Sequence, residues 1–335
     1  MRRLAAVAVV ALVLLGLMPV AAAYLKLGTR IDDGRIVGVK WTRTIRFFVT
    51  SRDVDGVSPA QLREVIDRVF QTWREVPHVG QGLNVEFGGF TNAEPGADDG
   101  ESVIGFRSRP ELERTLGAAS FEFNNQTGEL LASDIFFNST FNWSAAPAGQ
   151  PGRFDVESVA LHESGHLLGL GHSLLGETEL QANGRRAVLA KRAVMFPISY
   201  GSGIILDRVL HDDDRAGLVD IYNNTSSNRA LGSISGRVTL NGSGVFGAHV
   251  TAFHTGTAAM VGSYALSDDG TFVISSLEPG TYVVRAEPLD DADIDMIFSS
   301  GTDVNINFRP AFHAQLVSVP AGGASGTIEI RVQGK

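Results

Sequence analysis

The segment "VALHESGHLLGLGHS", Val159 to Ser173, constrains this chain more than any other. It is mostly apolar, yet it holds three histidines and one glutamate within eleven residues, in a chain with eight histidines in all. Apolar residues at this density read as a buried helix, and the glycines that follow read as its end. Imidazoles and a carboxylate are costly to bury without partners. A fold built around this segment must give those groups something to share, or leave the segment as chance polar residues on a surface helix.

The spacing favours a shared ion. His162 and His166 are four residues apart, so they lie one turn apart on the same helix face, and both rings can reach one ion at about 2.0–2.1 Å. Glu163 is offset beside His162. It can reach a water on that ion but is badly placed to be a ligand. Gly169 and Gly171 break the helix, and a turn there swings His172 back to the same point. The chain has no cysteine, so any metal is held by nitrogen and oxygen alone. Three neutral imidazoles leave a fourth position open, which suits a catalytic zinc better than a closed structural one. Zinc at that point lowers the pKa of a water towards about 7 and polarises a carbonyl. Glu163 then serves as general base for the water and returns the proton to the leaving amine. A bare HExxH occurs by chance; the third histidine after two glycines, inside an apolar stretch, argues against coincidence.

The chain has 335 residues, more than one compact core usually needs, and a net charge of −9 that excludes nucleic acid as a natural partner. Residues 1–23 read as a signal peptide: Arg2 and Arg3, an apolar run from Leu4 to Val20, then Ala21-Ala22-Ala23. A secreted or periplasmic protein with no stable membrane span after cleavage is expected, and a monomer. Residues 24–43 form a short polar segment with "IDDGR" as a turn. "TIRFFVT" reads as a strand. Ser58-Pro59 opens a helix whose Leu62, Val65, Ile66, Val69, Phe70 and Trp73 make one apolar stripe, ending before Pro77. Strands follow from Leu83, Ser102, Ala118 and Ala132, with "NNQTG" as a hairpin turn between the last two. Asp155 caps a second helix, and "HDDDRAGLVDIY" opens a third with aspartates at its positive end.

Here the chain resembles a known family. "HESGHLLGLGH" is similar to the metzincin zinc signature, and Ser173 after the last histidine resembles its matrixin branch. "RAVMFPISY" looks like the methionine turn below the zinc, with Met195 as the methionine. "LGAASFEF…SDIFFN" and the third helix look like matrixin elements too, so the likeness covers about residues 40–223. It implies an α+β metzincin-like catalytic domain, a mixed twisted sheet with three main helices, over residues 44–223. It implies Gly169 as the glycine of the zinc loop. It also implies a protein or peptide substrate paired as an added strand along Gly117, Ala118, Ala119, Ser120 and Phe121. Pro197, Ile198, Ser199 and Tyr200 would wall the pocket beyond the scissile bond, with one residue more than usual after Met195. The chain departs from the family in three ways. It has no cysteine for a latent propeptide. Only His78 precedes the motif, too few histidines for a second, structural zinc. Calcium (Ca2+) ligands are not evident: Gly96 to Glu101 and Asp134 carry oxygens but read as a charged surface loop.

After a polar linker at 224–231 the helical period disappears. Residues 232–335 alternate in short runs divided by Gly, Asp and Pro, the pattern of an all-β sandwich. "SISGRVTLNGSGVFGAHVTAF" and "SDDGTFVISSLEPGTYVVRAE" resemble a carboxypeptidase regulatory-like, transthyretin-type domain. His249, His254 and His313 are isolated there, and the domain reads as a passive appendage, so a chain ending at Asn228 is expected to still cleave a small peptide. The expected function is a secreted zinc (Zn2+) metalloendopeptidase. An inert binding or adhesion protein on the same scaffold would usually have lost Glu163 or a histidine. Another HExxH zinc hydrolase, such as a deformylase, has no need of His172 or Met195.

Overall fold

The computed structural model describes residues 18–20, 26–30, 36–79, 83–97, 99–182, 184, 186–222, 230–289 and 303–335. Most of the leader at 1–23, the "IDDGR" turn and most of the 224–231 linker lie outside the described residues. Three short strands open the chain: β1 (Met18–Val20), β2 (Lys26–Arg30) and β3 (Ile36–Gly38), antiparallel in that order. The polar reading of 24–43 foresaw neither β2 nor β3, and the leader reading of 1–23 did not foresee β1. They form because β2 is anchored from outside. Leu27 donates its N–H to Gly169 O (2.9 Å), and Val39 donates to Leu27 O (2.9 Å). The segment is therefore tied to the loop that follows the histidine helix.

The main sheet contains β4 (Ile45–Thr50), β5 (Val85–Thr91), β6 (Ser102–Arg107), β7 (Gly117–Phe123) and β8 (Leu130–Asn138). Between β4 and β5 lies α1 (Pro59–Arg74). It is capped by Ser58 and Gln61 in a reciprocal box, and its six predicted apolar residues are all buried. The strand order is β5-β4-β6-β8-β7, parallel except for β7, which runs antiparallel to β8 at the sheet's edge. A parallel pair, β9 (Trp143–Ser144) with β10 (Phe154–Asp155), leads into α2 (Val156–Leu167). α1 and α2 pack together on one side of the sheet. Trp73 bridges them by donating its indole N–H to Leu161 O (3.2 Å).

A hairpin of β11 (Gly176–Leu180) and β12 (Arg186–Lys191) then stands out from the body, and α3 (Asp212–Ile221) closes this part. The remaining described residues carry strands and no helix: β13 (Gly232–Leu240), β14 (Ser243–Gly244), β15 (His249–His254), β16 (Met260–Tyr264), β17 (Thr271–Leu277), β18 (Gly280–Glu287), β19 (Phe308–Arg309), β20 (Ala311–Phe312), β21 (Val317–Val319) and β22 (Ile328–Gly334). They make two five-stranded sheets, one built on β13 and β22, the other on β15 and β18. Alternate residues such as Ile234, Val238, Ile274, Ile330, Val250, Ala252, Val284 and Ala286 are buried, as strand alternation requires. α3 packs directly on β16 and β17. Among the described residues no helix is long and apolar enough to cross a membrane.

Candidate metal centre

The helix that carries the site is fixed at both ends. Asp155 caps it, accepting Ser158 N–H (2.9 Å) and the Ser158 hydroxyl (2.6 Å), while Arg208 Nε donates to the same carboxylate (2.9 Å). At the other end Gly169 adopts φ +97, where a Cβ would sit 2.6 Å from Val39 O. Glycine is needed there both for the left-handed turn and for the close approach of the chain before β4. That turn returns His172 to the helix face.

The three imidazoles meet. His162 Nε2 and His166 Nε2 are 3.0 Å apart, His166 Nε2 and His172 Nε2 are 3.2 Å apart, and all three residues are buried. The proton placement can be argued from the partners. His162 Nδ1 lies 2.8 Å from Val194 O, and His166 Nδ1 lies 2.8 Å from Leu170 O. A carbonyl only accepts, so each Nδ1 carries the hydrogen and each Nε2 presents a bare lone pair. Burial, followed by the neighbouring imidazoles, holds the pKa of both well below the usual histidine value. Neutral rings with lone pairs aimed at one another repel unless a cation sits among them. The donor set fits zinc in chemistry and in shape. It is the one group of three or more potential ligands among the described residues that converges in this way.

Glu163 is fully buried, and both carboxylate oxygens lack a protein partner. Burial alone drives its pKa well above the usual carboxylate range. Its Oε1 reaches the start of the edge strand, 3.2 Å from where a Cβ on Gly117 would lie. Beneath the histidines sits Met195, with its sulfur packed so tightly under Gly165 that a Cβ there would come within 2.2 Å of Sδ. The backbone on either side of Met195 serves the site. Val194 O orients His162, and Met195 O accepts Ser173 N–H (3.0 Å).

Sequence reasoning missed what holds this turn. Asp214 on α3 accepts N–H groups from Val194 (2.8 Å), Met195 (3.0 Å) and His211 (2.9 Å). From the sequence it reads only as charge at a helix N-terminus. The available signal was redundancy: three consecutive aspartates exceed what one dipole needs. The hairpin β11–β12, inserted between His172 and Met195, was also missed.

The remaining expected residues fall as follows. On β7, Gly117, Ala118 and Ala119 are buried, Ser120 and Phe121 are half-buried, and the strand's outer side is free of sheet partners. Ser199 and Tyr200 are half-buried and line a cavity of about 10 Å³ with Leu116, Val159 and Asp207; Pro197 and Ile198 are buried and do not line it. Asp134 is buried and spends its oxygens on Val103 N–H (2.7 Å) and Gly96 N–H (2.5 Å), closing the loop that sequence had weighed for calcium. His78, four residues beyond the end of α1, is not part of the converging histidine group.

A mixed sheet with an antiparallel edge, lying over a helix that presents two imidazoles and a carboxylate with a third imidazole returned by the turn after it, defines an α+β unit with a site that could hold a metal ion. The sequence profile of the matrixin peptidases matches residues 40–223, more than half of the chain, and the chain belongs to the matrixin family. That family implies zinc. Metalloendoproteinase 2-MMP of Arabidopsis thaliana is 28% identical over 145 residues, covering 42% of this chain and 35% of that protein. The chain therefore spans about a third of the length of that relative. Among solved structures, the Bacillus anthracis TIE protein matches 31% of this chain and 17% of its own at 14% identity, with a TM-score of 0.22, too slight a likeness to bear on the fold.

Proposed function

We propose that this chain is a zinc-dependent endopeptidase in which His162, His166 and His172 hold the metal and Glu163 is the general base. One observation carries the reading: two bare imidazole nitrogens converge on a third, beside a buried carboxylate with no protein partner. Zinc held by these rings would supply an acidified water and a polarised peptide carbonyl. Glu163 is placed to accept a proton from the attacking water and to pass it to the departing nitrogen, so that the C–N bond breaks with a neutral amine leaving. The Val194 and Leu170 carbonyls hold the ligand rings with their Nε2 atoms inward. The open side of β7 offers main-chain groups to an extended substrate, and Gly117 brings that strand against Glu163. Met195 is the floor under the ligands, and Gly169 sets the turn to the third. Ser199 and Tyr200 line the small cavity beside Leu116 and Val159 and are the residues assigned to the pocket beyond the scissile bond. Export through the leader at 1–23 belongs to the same reading.

Glu163→Gln tests it. The variant is expected to keep one zinc per chain and to lose peptide hydrolysis by at least about a hundredfold. Retained cleavage would remove the general-base assignment. Phenanthroline should abolish hydrolysis by the native chain, and added zinc should restore it.

A further inference from the structure

We propose that the β-structure after residue 230 is a working part of the metal centre, acting through Asp213 as a positioning residue for His172. The inference rests on the zinc reading above and extends it to a part of the chain that the sequence marked as a passive appendage.

The path begins one residue from the ligand. Ser173 follows His172, and its hydroxyl hydrogen-bonds the carboxylate of Asp213 on the first turn of α3. Asp213 is 2% exposed, and its Oδ1 also accepts the N–H of Gly262 (2.7 Å), a buried contact across the two halves of the chain. Gly262 lies in β16, the edge strand of its sheet, paired with β15 on its other side. An edge strand leaves N–H groups unpaired, and here one of them is capped by a carboxylate from the other half of the molecule.

The fit around this bond is close. A Cβ on Gly262 would lie 2.9 Å from His249 Nε2, 3.5 Å from Leu175 Cγ and 3.7 Å from Asp213 Oδ1. A glycine inside a strand often marks a close approach to its backbone, here by the side chains of His249, Leu175 and Asp213. The next residues complete the clamp. Leu174 is buried in a small cluster with Tyr264 and Leu289, backed by Phe246 and Val304, all from the C-terminal half. Thus His172 is followed by a hydroxyl tied to Asp213 and a leucine seated in the β-structure. The two preceding aspartate roles divide cleanly: Asp214 holds the methionine turn, and Asp213 holds the third-ligand segment against β16. A passive appendage would meet α3 through solvated side chains. Instead, the peptide that follows His172 takes part of its core from the second half of the chain, so on this proposal a chain ending at Asn228 loses part of the support of its third ligand.

The test uses the full-length, zinc-loaded protein with variants Asp213→Ala, Asp213→Asn and Gly262→Ala. Zinc affinity is read by competition with a chromophoric chelator, and ligand geometry by the visible spectrum of the cobalt-substituted protein. Asp213→Ala is expected to weaken zinc tenfold to a hundredfold, the usual cost of losing a group that orients a ligand, and to alter the cobalt spectrum. Asp213→Asn keeps an oxygen for the Gly262 N–H and should stay within about threefold of wild type. Gly262→Ala perturbs the contact from the other side, at a position remote in sequence, and should weaken zinc in the same direction. Should Asp213→Ala fail to fold, Gly262→Ala and Asp213→Asn still decide. Wild-type affinity in a folded Gly262→Ala or Asp213→Ala protein overturns the proposal, as does an equal loss in Asp213→Asn. Failure of the wild-type chain to bind zinc would instead overturn the metal reading itself.

Discussion

Two regions of this molecule bury histidine, and they do so differently. In the β-structure, His249 is 3% exposed, stacks near Tyr264, and sets Nδ1 3.3 Å from Glu287 Oε1. That is one ring with one carboxylate, an arrangement that packing alone explains. Below β7, three rings turn their Nε2 atoms together, and two of them give their hydrogens to backbone carbonyls behind. Burial and a polar neighbour are common to both places. What separates them is where the protons go. His249 spends Nδ1 on Glu287 and leaves its buried Nε2 without a hydrogen-bond partner, yet among the described residues no group of three ligands converges on it. A ligand set turns its protons outward and leaves lone pairs converging on a point that no protein atom fills.

The largest expected effect breaks this comparison most directly. His166→Ala should abolish stoichiometric zinc binding and hydrolysis, whereas His249→Ala should retain one zinc per chain, as read by metal analysis after dialysis. Loss of zinc in both variants would mean that burial, rather than convergence, was the feature that mattered.

The convergence was largely legible before any fold was known, because its geometry is local. Four-residue spacing places His162 and His166 on one helix face, and Gly169 can only be a turn once the helix must end. The α1 stripe was legible for the same reason: six buried residues at helical period are written in twelve consecutive positions, Leu62 to Trp73. Elements that bury little left little trace. The hairpin β11–β12 keeps Glu177, Glu179, Leu180, Leu189 and Ala190 exposed, so its sequence lacks the alternation that betrays a half-buried strand. β2 and β3 exist through contacts with residues far along the chain, notably Gly169, which no window of sequence contains. Asp213 and Asp214 look identical in sequence. Only the packing of α3 shows that one faces β16 and the other the methionine turn.

Carboxylates sharpen the contrast at the next level of effect. Asp214→Ala leaves three N–H groups without their acceptor, two of them in the turn that orients His162. At about 1–3 kcal/mol for each buried orphan, a loss of roughly 4 kcal/mol in denaturant unfolding is expected, with weakened zinc binding as well. Glu287→Ala removes a single partner of His249 and should cost about 1–2 kcal/mol while leaving zinc untouched. Equal costs in both variants, or lost zinc in Glu287→Ala, would erase the distinction between a network that supports a ligand and a lone packed pair.

The smallest effect is a difference in pH slope, and its sign differs between the two regions. Burial pushes the Asp213 carboxyl up to about 7 from its usual 3.8, against the Gly262 and Ser173 hydrogen bonds that favour the charged form. Between roughly pH 4 and 7 the folded chain therefore keeps a proton that the unfolded chain has released, and stability falls as pH rises through that window. For Glu287, burial raises the pKa, but the His249 hydrogen bond and the charges of His249 and Arg285 outweigh it and leave it lowered. Its stabilisation is present above the ordinary glutamate pKa and is lost as pH falls below it, so between pH 5 and 6 it is flat. Over that single unit Asp213→Asn should abolish a decline of about 1 kcal/mol, while Glu287→Gln should run parallel to wild type. Thermal melts at saturating zinc make the comparison, since the metal's own pH dependence cancels in the differences between proteins. A wild-type curve parallel to Asp213→Asn over pH 5–6 would show that the interface carboxylate is already ionised there, and that α3 meets β16 through a charge accommodated by the two hydrogen bonds it accepts.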